Sequence, residues 1–387
     1  MLKRKICIVT GSRAEWGLLS PIAAQLQLRN DVELQIVATN MHLIKRFGHT
    51  VDLIRNEGFD VAAEVALDSL SDAPADVAAA TGRCMQGMAE AFNRLQPDLI
   101  VVLGDRYELL AVTAAATIMR IPIVHLHGGE VSEGAIDDSI RHAVTKLSAL
   151  HLTSAREHSN RVRQLGENPA MIHTVGAVGV SNALAVEPLS KCEIEDFLGL
   201  KLNRKSLMVT YHPVTACDSS PADLFGNLLR ALDAFPDSTV VFSYPNNDAR
   251  GAAIIDLIDG YVASSPSRAV AFPSLGMKRY LSVLHYVGAV VGNSSSGLIE
   301  VPSMHIPTVN IGTRQQGRLS AQSVINCADS ESDIRRAVAL ALSPECQERA
   351  RHVVNPYYRP DTVAECARLI AETPLDSLRS KHFFDLP

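Results

Sequence analysis

Gly292-Asn293-Ser294-Ser295-Ser296-Gly297-Leu298-Ile299-Glu300 follows the apolar run Tyr286 to Val291 and leads into a pattern with helical spacing through Val301. The run reads as a buried parallel strand, so the local order is strand, small-residue turn, helix. The first N–H groups of a helix lack intrahelical partners and carry the positive end of its dipole. A phosphate is the natural guest of such a turn. Ser294, Ser295 and Ser296 add hydroxyl donors, and Gly292 and Gly297 allow close approach. Further on, Gly312 to Arg318 supplies Arg314 and Arg318, which suit a diphosphate. Glu300 falls about one helical turn in, where a carboxylate accepts from both hydroxyls of a ribose. Together these residues read as a nucleotide diphosphate site rather than as an N-cap turn beside solvated arginines.

At 387 residues the chain exceeds one ordinary core, so two domains are expected. Hydrophobic residues at 47% against 20% charged describe a well-buried globular enzyme and exclude a disordered chain. A net charge of −6 without any long basic run argues against nucleic acid as a partner. Cys7, Cys84, Cys192, Cys217, Cys327, Cys346 and Cys366 are scattered and never spaced C-x-x-C. They fit buried thiols in a reducing cytoplasm, not disulfides or a zinc site. Ile6 to Val9, four clearly apolar residues after Met1 to Lys5, form a first strand and not a signal peptide. No stretch approaches the ~18 apolar residues of a membrane span.

Working back to the N-terminus, Ile6 to Val9 runs into Thr10-Gly11-Ser12-Arg13-Ala14-Glu15-Trp16-Gly17 and then a helical apolar pattern. A glycine loop between strand and helix opens a doubly wound domain. It is not G-x-G-x-x-G, which disfavours a nicotinamide cofactor. Arg13 in this loop is placed to meet a phosphate or a base. His42, just after the strand Val32 to Thr39, reads as structural. Pro74 to Leu95 reads as one long helix. Leu99 to Leu103 is wholly apolar, as a strand covered on both faces should be, and delivers Gly104-Asp105-Arg106-Tyr107-Glu108 to the sheet edge. There Asp105 and Arg106 read either as a plain ion pair on a helix N-terminus or, functionally, as Asp105 facing the ligand and Arg106 its phosphates. The next strand, Ile121 to Leu126, opens into His127-Gly128-Gly129-Glu130, and Asp137, Asp138, Arg141 and His142 head a helix through Leu147. So many ionisable groups at one strand end are hard to explain by packing.

The stretch Glu187 to Asn203 is polar and broken, and the domain boundary is expected near Gly176 to Val186. Beyond it, Ser206 to Thr210 ends at Tyr211-His212-Pro213, Thr239 to Phe242 ends at Ser243-Tyr244-Pro245-Asn246, and the opening turn follows a third strand. The proline holds His212 extended, so it can point into a cleft. Thr308 to Ile311 is a late strand, and Glu331 to Leu342 and Thr362 to Ala371 are helices, the last able to cross back onto the first domain.

In combination, Thr10 to Gly17, Gly104 to Glu108, His125 to Glu130, Asp137 to His142, His212-Pro213, Gly292 to Glu300 and Gly312 to Arg318 resemble the hydrolysing UDP-N-acetylglucosamine 2-epimerases of bacterial sialic and legionaminic acid pathways. The resemblance covers nearly the whole chain. It implies an α/β protein of two Rossmann-like doubly wound domains facing across a cleft, the GT-B fold. Residues 1–180 would form the N-terminal domain with the acid/base carboxylates, 181–360 the nucleotide-binding domain, and 361–387 a helix and tail. It also implies release of N-acetylmannosamine and UDP without any cofactor or metal, by elimination of UDP to a glycal and hydration. Asp105, Glu130, Asp137 and His212 take catalytic roles by this resemblance. Arg13, Arg106, His127, Asn246, Ser294, Ser295, Glu300, Arg314 and Arg318 take nucleotide- or substrate-binding roles. Some members carry glutamate at the position of His127. The implied protein is a cytoplasmic homodimer or homotetramer acting on a UDP-sugar, with neither membrane nor nucleic acid as partner. Hydrolysing epimerases of UDP- or GDP-linked 2,4-diacetamido-trideoxy sugars, non-hydrolysing epimerases, GT-B glycosyltransferases and a non-catalytic nucleotide-sugar sensor are the competing readings.

Overall fold

The structure is a computed structural model. It describes residues 3–45, 48–67, 71, 73–132, 136–213, 220–245 and 251–385. The chain divides into two compact units. Unit 1 comprises Met1–Val131, Ala135–Ser181 and Arg359–Pro387, and unit 2 comprises Ser132–Gly134 and Asn182–Tyr358.

Unit 1 is built on a parallel sheet of β1 (Arg4–Thr10), β2 (Val32–Thr39), β3 (Val61–Val65), β4 (Leu99–Leu103), β5 (Ile123–Leu126), β6 (Leu150–Thr153) and β7 (Ile172–Thr174), in the order β3-β2-β1-β4-β5-β6-β7. Every residue of β4 is buried, because helices cover both faces. Alternation along β1 shows the two layers. Ile6 and Ile8 pack with Trp16, Leu19 and Ile22 of the helix Arg13–Gln27, while Cys7 and Val9 pack with Met88 and Phe92 of the helix Pro74–Leu95. The helix Thr362–Glu372 belongs to the first of these layers through Cys366, Ala367, Leu369 and Ile370. Thr362 Oγ1 donates to the Val175 carbonyl at 2.8 Å and Arg4 to the Thr373 carbonyl at 2.9 Å, which ties the late helix to the rest of unit 1. It is not terminal, since a short helix Leu375–Arg379 follows it.

Unit 2 repeats the winding with β8 (Leu207–Thr210), β9 (Val240–Ser243), β10 (Ala269–Phe272), β11 (Ala289–Gly292), β12 (Thr308–Ile311) and β13 (Val324–Cys327), in the order β10-β9-β8-β11-β12-β13 and again parallel. β10 and β13 escape a reading of apolar runs because they are edge strands whose residues are mostly half-buried. The stretch Glu187 to Asn203 is not broken throughout. Lys191–Leu198 is a helix, closed by a capping box in which Ser190 and Glu193 satisfy each other's backbone N–H groups. The apolar pattern after the serine turn also departs from expectation: the helix is a single turn, Ser296–Ile299, followed by a 3-10 turn Val301–Met304. Pro302 has no N–H to continue the ladder and its ring crowds the preceding turn. So short a helix has little dipole, and an anion at this turn would depend on individual donors.

Of the cysteines, Cys7, Cys84, Cys346 and Cys366 are buried free thiols, Cys327 is half-buried and Cys192 is exposed. Cys217 lies outside the described residues. No described helix is long and apolar enough to cross a membrane.

Candidate functional site

Each sheet reverses its winding beside its first strand, between β1 and β4 in unit 1 and between β8 and β11 in unit 2. Loops leaving the carboxyl ends of such strands diverge to opposite faces and leave a crevice for ligands. The loops after β1 and β4 carry Arg13, Asp105 and Arg106, and those after β8 and β11 carry His212 and the serines.

In unit 1 the organising side chain is Arg141 of the helix Ile136–Leu147, only 1% exposed. Its guanidinium donates to an Asp105 carboxylate oxygen, to the Glu130 carbonyl at 2.8 Å and to Asp138 Oδ1 at 3.1 Å. One buried cation thus gathers the loops after β4 and β5 and the head of its own helix. Asp105 and Arg106 are therefore not partners of each other. Asp137 is half-buried, and burial followed by repulsion from Asp105 raises its pKa above the ordinary carboxylate value. His142 Nε2 lies 3.4 Å from Asp138 Oδ2.

Glu130 is 8% exposed. Its Oε1 accepts from Ser154 Oγ at 2.6 Å and lies 3.1 Å from His127 Nδ1. Beneath this loop, fully buried His125 bridges the Gly104 carbonyl at 2.8 Å and Thr145 Oγ1 at 3.1 Å. Burial lowers its pKa to about 3, so it stays neutral and ties the loop after β4 in place. His42 is likewise structural, held between Thr10 Oγ1 at 3.1 Å and Thr50 Oγ1 at 2.8 Å.

Arg106 donates from Nε to Glu108 Oε1 at 2.7 Å. Burial alone would lower its pKa, but Glu108 more than reverses this and the guanidinium stays charged. Beside the pair, Glu15 accepts the Gly11 N–H at 2.6 Å, and burial followed by repulsion from Glu108 pushes its carboxyl up to about 8. The carboxylates crowd the loop so closely that a Cβ at Gly11 would lie 2.3 Å from Glu108 Oε1, and a side chain there would have to displace that carboxylate. Arg13, the first residue of its helix, is exposed.

In unit 2 the organising side chain is Asn293, with no exposed surface. Its Oδ1 accepts the His212 N–H at 2.7 Å and its Nδ2 donates to the His212 carbonyl at 2.9 Å. The amide acts as one more rung of sheet between β8 and β11 and fixes the loop carrying His212, which is itself buried. The Asn293 carbonyl accepts from Arg314 Nη1 at 2.9 Å and from Gln315 Nε2 at 2.8 Å. Gly292 makes this close packing possible, since a Cβ there would sit 1.9 Å from the Thr210 carbonyl oxygen. Ser294 and Ser295 are half-buried. Ser296 Oγ is 2.9 Å from the Tyr280 hydroxyl, whose pKa is raised by burial and further by Glu300. Glu300 caps the single helical turn. Arg318 Nη2 lies 3.4 Å from Ser132 Oγ of the same unit. Asn246 lies outside the described residues.

Arg141, Asn293 and Ser154 are the positioning residues that motif reading passed over. Arg141 had a signal, because it sits three and four places before Val144 and Thr145 on the buried stripe of its helix. Asn293 and Ser154 had none, since their partners are 81 and 24 residues away in the chain.

A model of the UDP-N-acetylglucosamine 2-epimerase family matches residues 24–371. The chain is 35% identical to the GDP/UDP-N,N'-diacetylbacillosamine 2-epimerase (hydrolyzing) of Campylobacter jejuni, with 100% of both chains covered. It is 32% identical to polysialic acid biosynthesis protein P7 of Escherichia coli, over 99% of this chain and 98% of the relative. Its fold matches the S. aureus MnaA–UDP co-structure at a TM-score of 0.79 and 16% identity, covering 99% of this chain and 100% of that one.

Proposed function

The chain belongs to the UDP-N-acetylglucosamine 2-epimerase family, and from that premise we propose that it is a hydrolysing nucleotide-sugar 2-epimerase converting UDP-N-acetylglucosamine and water to N-acetylmannosamine and UDP. The observation that carries the reading is the Arg141 cluster, which gathers Asp105, the Glu130 loop and Asp138 at one sheet edge. A sugar C2–H beside no carbonyl is very weakly acidic. C1–O cleavage must therefore run ahead of proton removal, with positive charge developing at C1 and donors holding the departing diphosphate. Unit 1 supplies the proton chemistry through Asp105, Asp137 and the His127–Glu130 loop. Burial and like charge push Asp137 toward its protonated form, while Asp105 is paired with Arg141. Unit 2 supplies the cradle: Ser294, Ser295, Arg314 and Arg318 for the diphosphate, Glu300 for the ribose and His212 beside the leaving phosphate. The same reading includes a cytoplasmic homo-oligomer.

Turnover in D2O tests this. Free N-acetylmannosamine bearing deuterium at C2, formed with stoichiometric UDP, is the expected result. Intact UDP-N-acetylmannosamine accumulating instead would mean a non-hydrolysing epimerase.

The C. jejuni relative favours a second donor, because its name assigns it a GDP- or UDP-linked diacetamido sugar and it matches this chain end to end. Side-by-side assays of nucleotide release from UDP-N-acetylglucosamine and from UDP- and GDP-N,N'-diacetylbacillosamine separate the two, and the donor with the higher kcat/KM is the substrate.

A further inference from the structure

Glu130 is poorly placed to exchange a proton with a substrate itself. It is buried, and its Oε1 is already shared between the Ser154 hydroxyl and the His127 ring. Ser154 Oγ is in turn 2.9 Å from His158 Nδ1, so the carboxylate is held from the helix Arg156–Gln164 as well. The ring it faces is buried to a similar degree and differs only in having one polar atom unengaged. His127 Nδ1 has Glu130, whereas Nε2 has no hydrogen-bond partner among the described residues. A buried polar atom without a partner asks for an explanation, and a proton-transfer role is one.

The backbone supports the same reading. His127 has φ of 65°, a left-handed conformation that is strained for a non-glycine residue and survives where the surroundings impose it. The His127 N–H donates to the Leu152 carbonyl at 2.9 Å, and Arg161 and Arg141 donate to the carbonyls of Gly129 and Glu130. The loop is clamped so that ring and carboxylate meet. His127 follows β5 and Asp105 follows β4, which pair directly through Leu103 and Leu126, so both residues leave neighbouring strand ends at the same edge of the sheet.

We propose that His127 is the catalytic base at the sugar's C2, acting through Nε2, and that Glu130 is its positioning carboxylate. This rests on the epimerase reading above. In the elimination, the Nε2 lone pair takes the C2 proton and the C2–H electron pair becomes the C1=C2 bond. The C1–O pair leaves with UDP. The imidazolium is stabilised by Glu130 across Nδ1, and its proton passes to solvent before the next cycle. A second acid, for which Asp137 is suited, then delivers its proton to C2 from the opposite face as water adds to C1, and the proton this water releases restores that acid. The charged or titratable groups around the ring are Glu130, His125 on its own strand, Arg141 from the following helix, and His158 and Arg161 from the helix after β6.

Three measurements on the full chain test the assignment. His127→Gln is expected to keep the parent's melting temperature and to lose about 10²–10⁴-fold in kcat. Glu130→Gln can still accept from Nδ1, so it should lose only about 10–100-fold. With the negative charge gone, its acid limb of kcat should move to lower pH by about one unit or more. A folded His127→Gln enzyme within about tenfold of the parent overturns the proposal. So does a Glu130→Gln enzyme as impaired as His127→Gln with an unshifted limb. The third measurement needs no substrate: ¹⁵N NMR of histidine-labelled protein, with His127 assigned by its loss in His127→Gln. Neutral His127 protonated on Nδ1 supports the dyad, and protonation on Nε2 overturns it. If the parent releases nucleotide from no donor, the epimerase reading fails, and the tautomer still decides whether the dyad exists.

Discussion

The two switch-point regions are built in opposite ways. In unit 1 the functional side chains are charged, partly or wholly buried and engaged with one another: Arg141 with Asp105 and Asp138, Arg106 with Glu108, and Glu130 with Ser154 and His127. In unit 2 the framework is a neutral amide, Asn293, and the candidate ligand-binding groups are half-buried hydroxyls and an exposed Arg314. Buried charges shift one another's proton affinities, which is what moving a proton at carbon needs. A neutral scaffold carrying hydroxyl and guanidinium donors suits a group that must hold and then release a dianion. The contrast suggests that damage in unit 1 is electrostatic and appears in folding and in kcat, whereas damage in unit 2 is geometric and appears in nucleotide affinity.

The largest break is expected from Arg141→Met. Arg141 is buried but the side chains of Asp105 and Asp138 are 27% and 30% exposed, so stranding them should cost less than the ~3–5 kcal/mol of a fully buried pair. Urea unfolding should show that loss together with absent turnover, and a variant as stable as the parent would mean the cluster is solvated. Asp105→Asn can still accept from Arg141, so it should fold, bind UDP by calorimetry and lose about 10²–10⁴ in kcat, along with deuterium incorporation at C2. Normal turnover would remove Asp105 from the chemistry. Asn293→Ala removes the two amide hydrogen bonds to the His212 N–H and carbonyl, at about 1–3 kcal/mol each. The contrast between units predicts that UDP affinity falls more than kcat, and the reverse order would undo it.

The smallest effect on function is expected from Glu15→Gln. In the folded chain this carboxyl is raised from 4.5 to about 8, so between those pH values the unfolded chain releases a proton that the folded chain retains. Folding is therefore progressively penalised as pH rises through that window. The glutamine variant should match the parent's melting temperature below about pH 4.5 and exceed it increasingly up to about pH 8. Parallel melting curves across that range would show that Glu15 is ionised in the folded state.

How much the sequence discloses depends on whether the cause is local. The wholly apolar β4 and the long helix Pro74–Leu95 were legible to the residue, because burial on both faces and a proline start leave direct marks in composition. β10 and β13, edge strands of four residues that are mostly half-buried, were not read from the sequence. The serine turn was rightly read as strand followed by turn, whereas the helical pattern read through Val301 is α-helix only over Ser296–Ile299. Its helical spacing was real, but Pro302 ended the ladder after one turn.

By itself the sequence determined the alternation of strand and helix, the strand ends that carry Asp105, His127, Glu130, His212 and Ser294, and the family motif they make together. Partnership was decided by tertiary structure. That Asp105 belongs to Arg141 rather than to its neighbour Arg106, that Glu130 faces His127, and that Asn293 holds His212 all depend on strand order. The order β3-β2-β1-β4 and its echo β10-β9-β8-β11 bring together loops far apart along the chain. Hydrogen bonds and charges act over a few ångströms, so only the packed sheet determines which side chains they join.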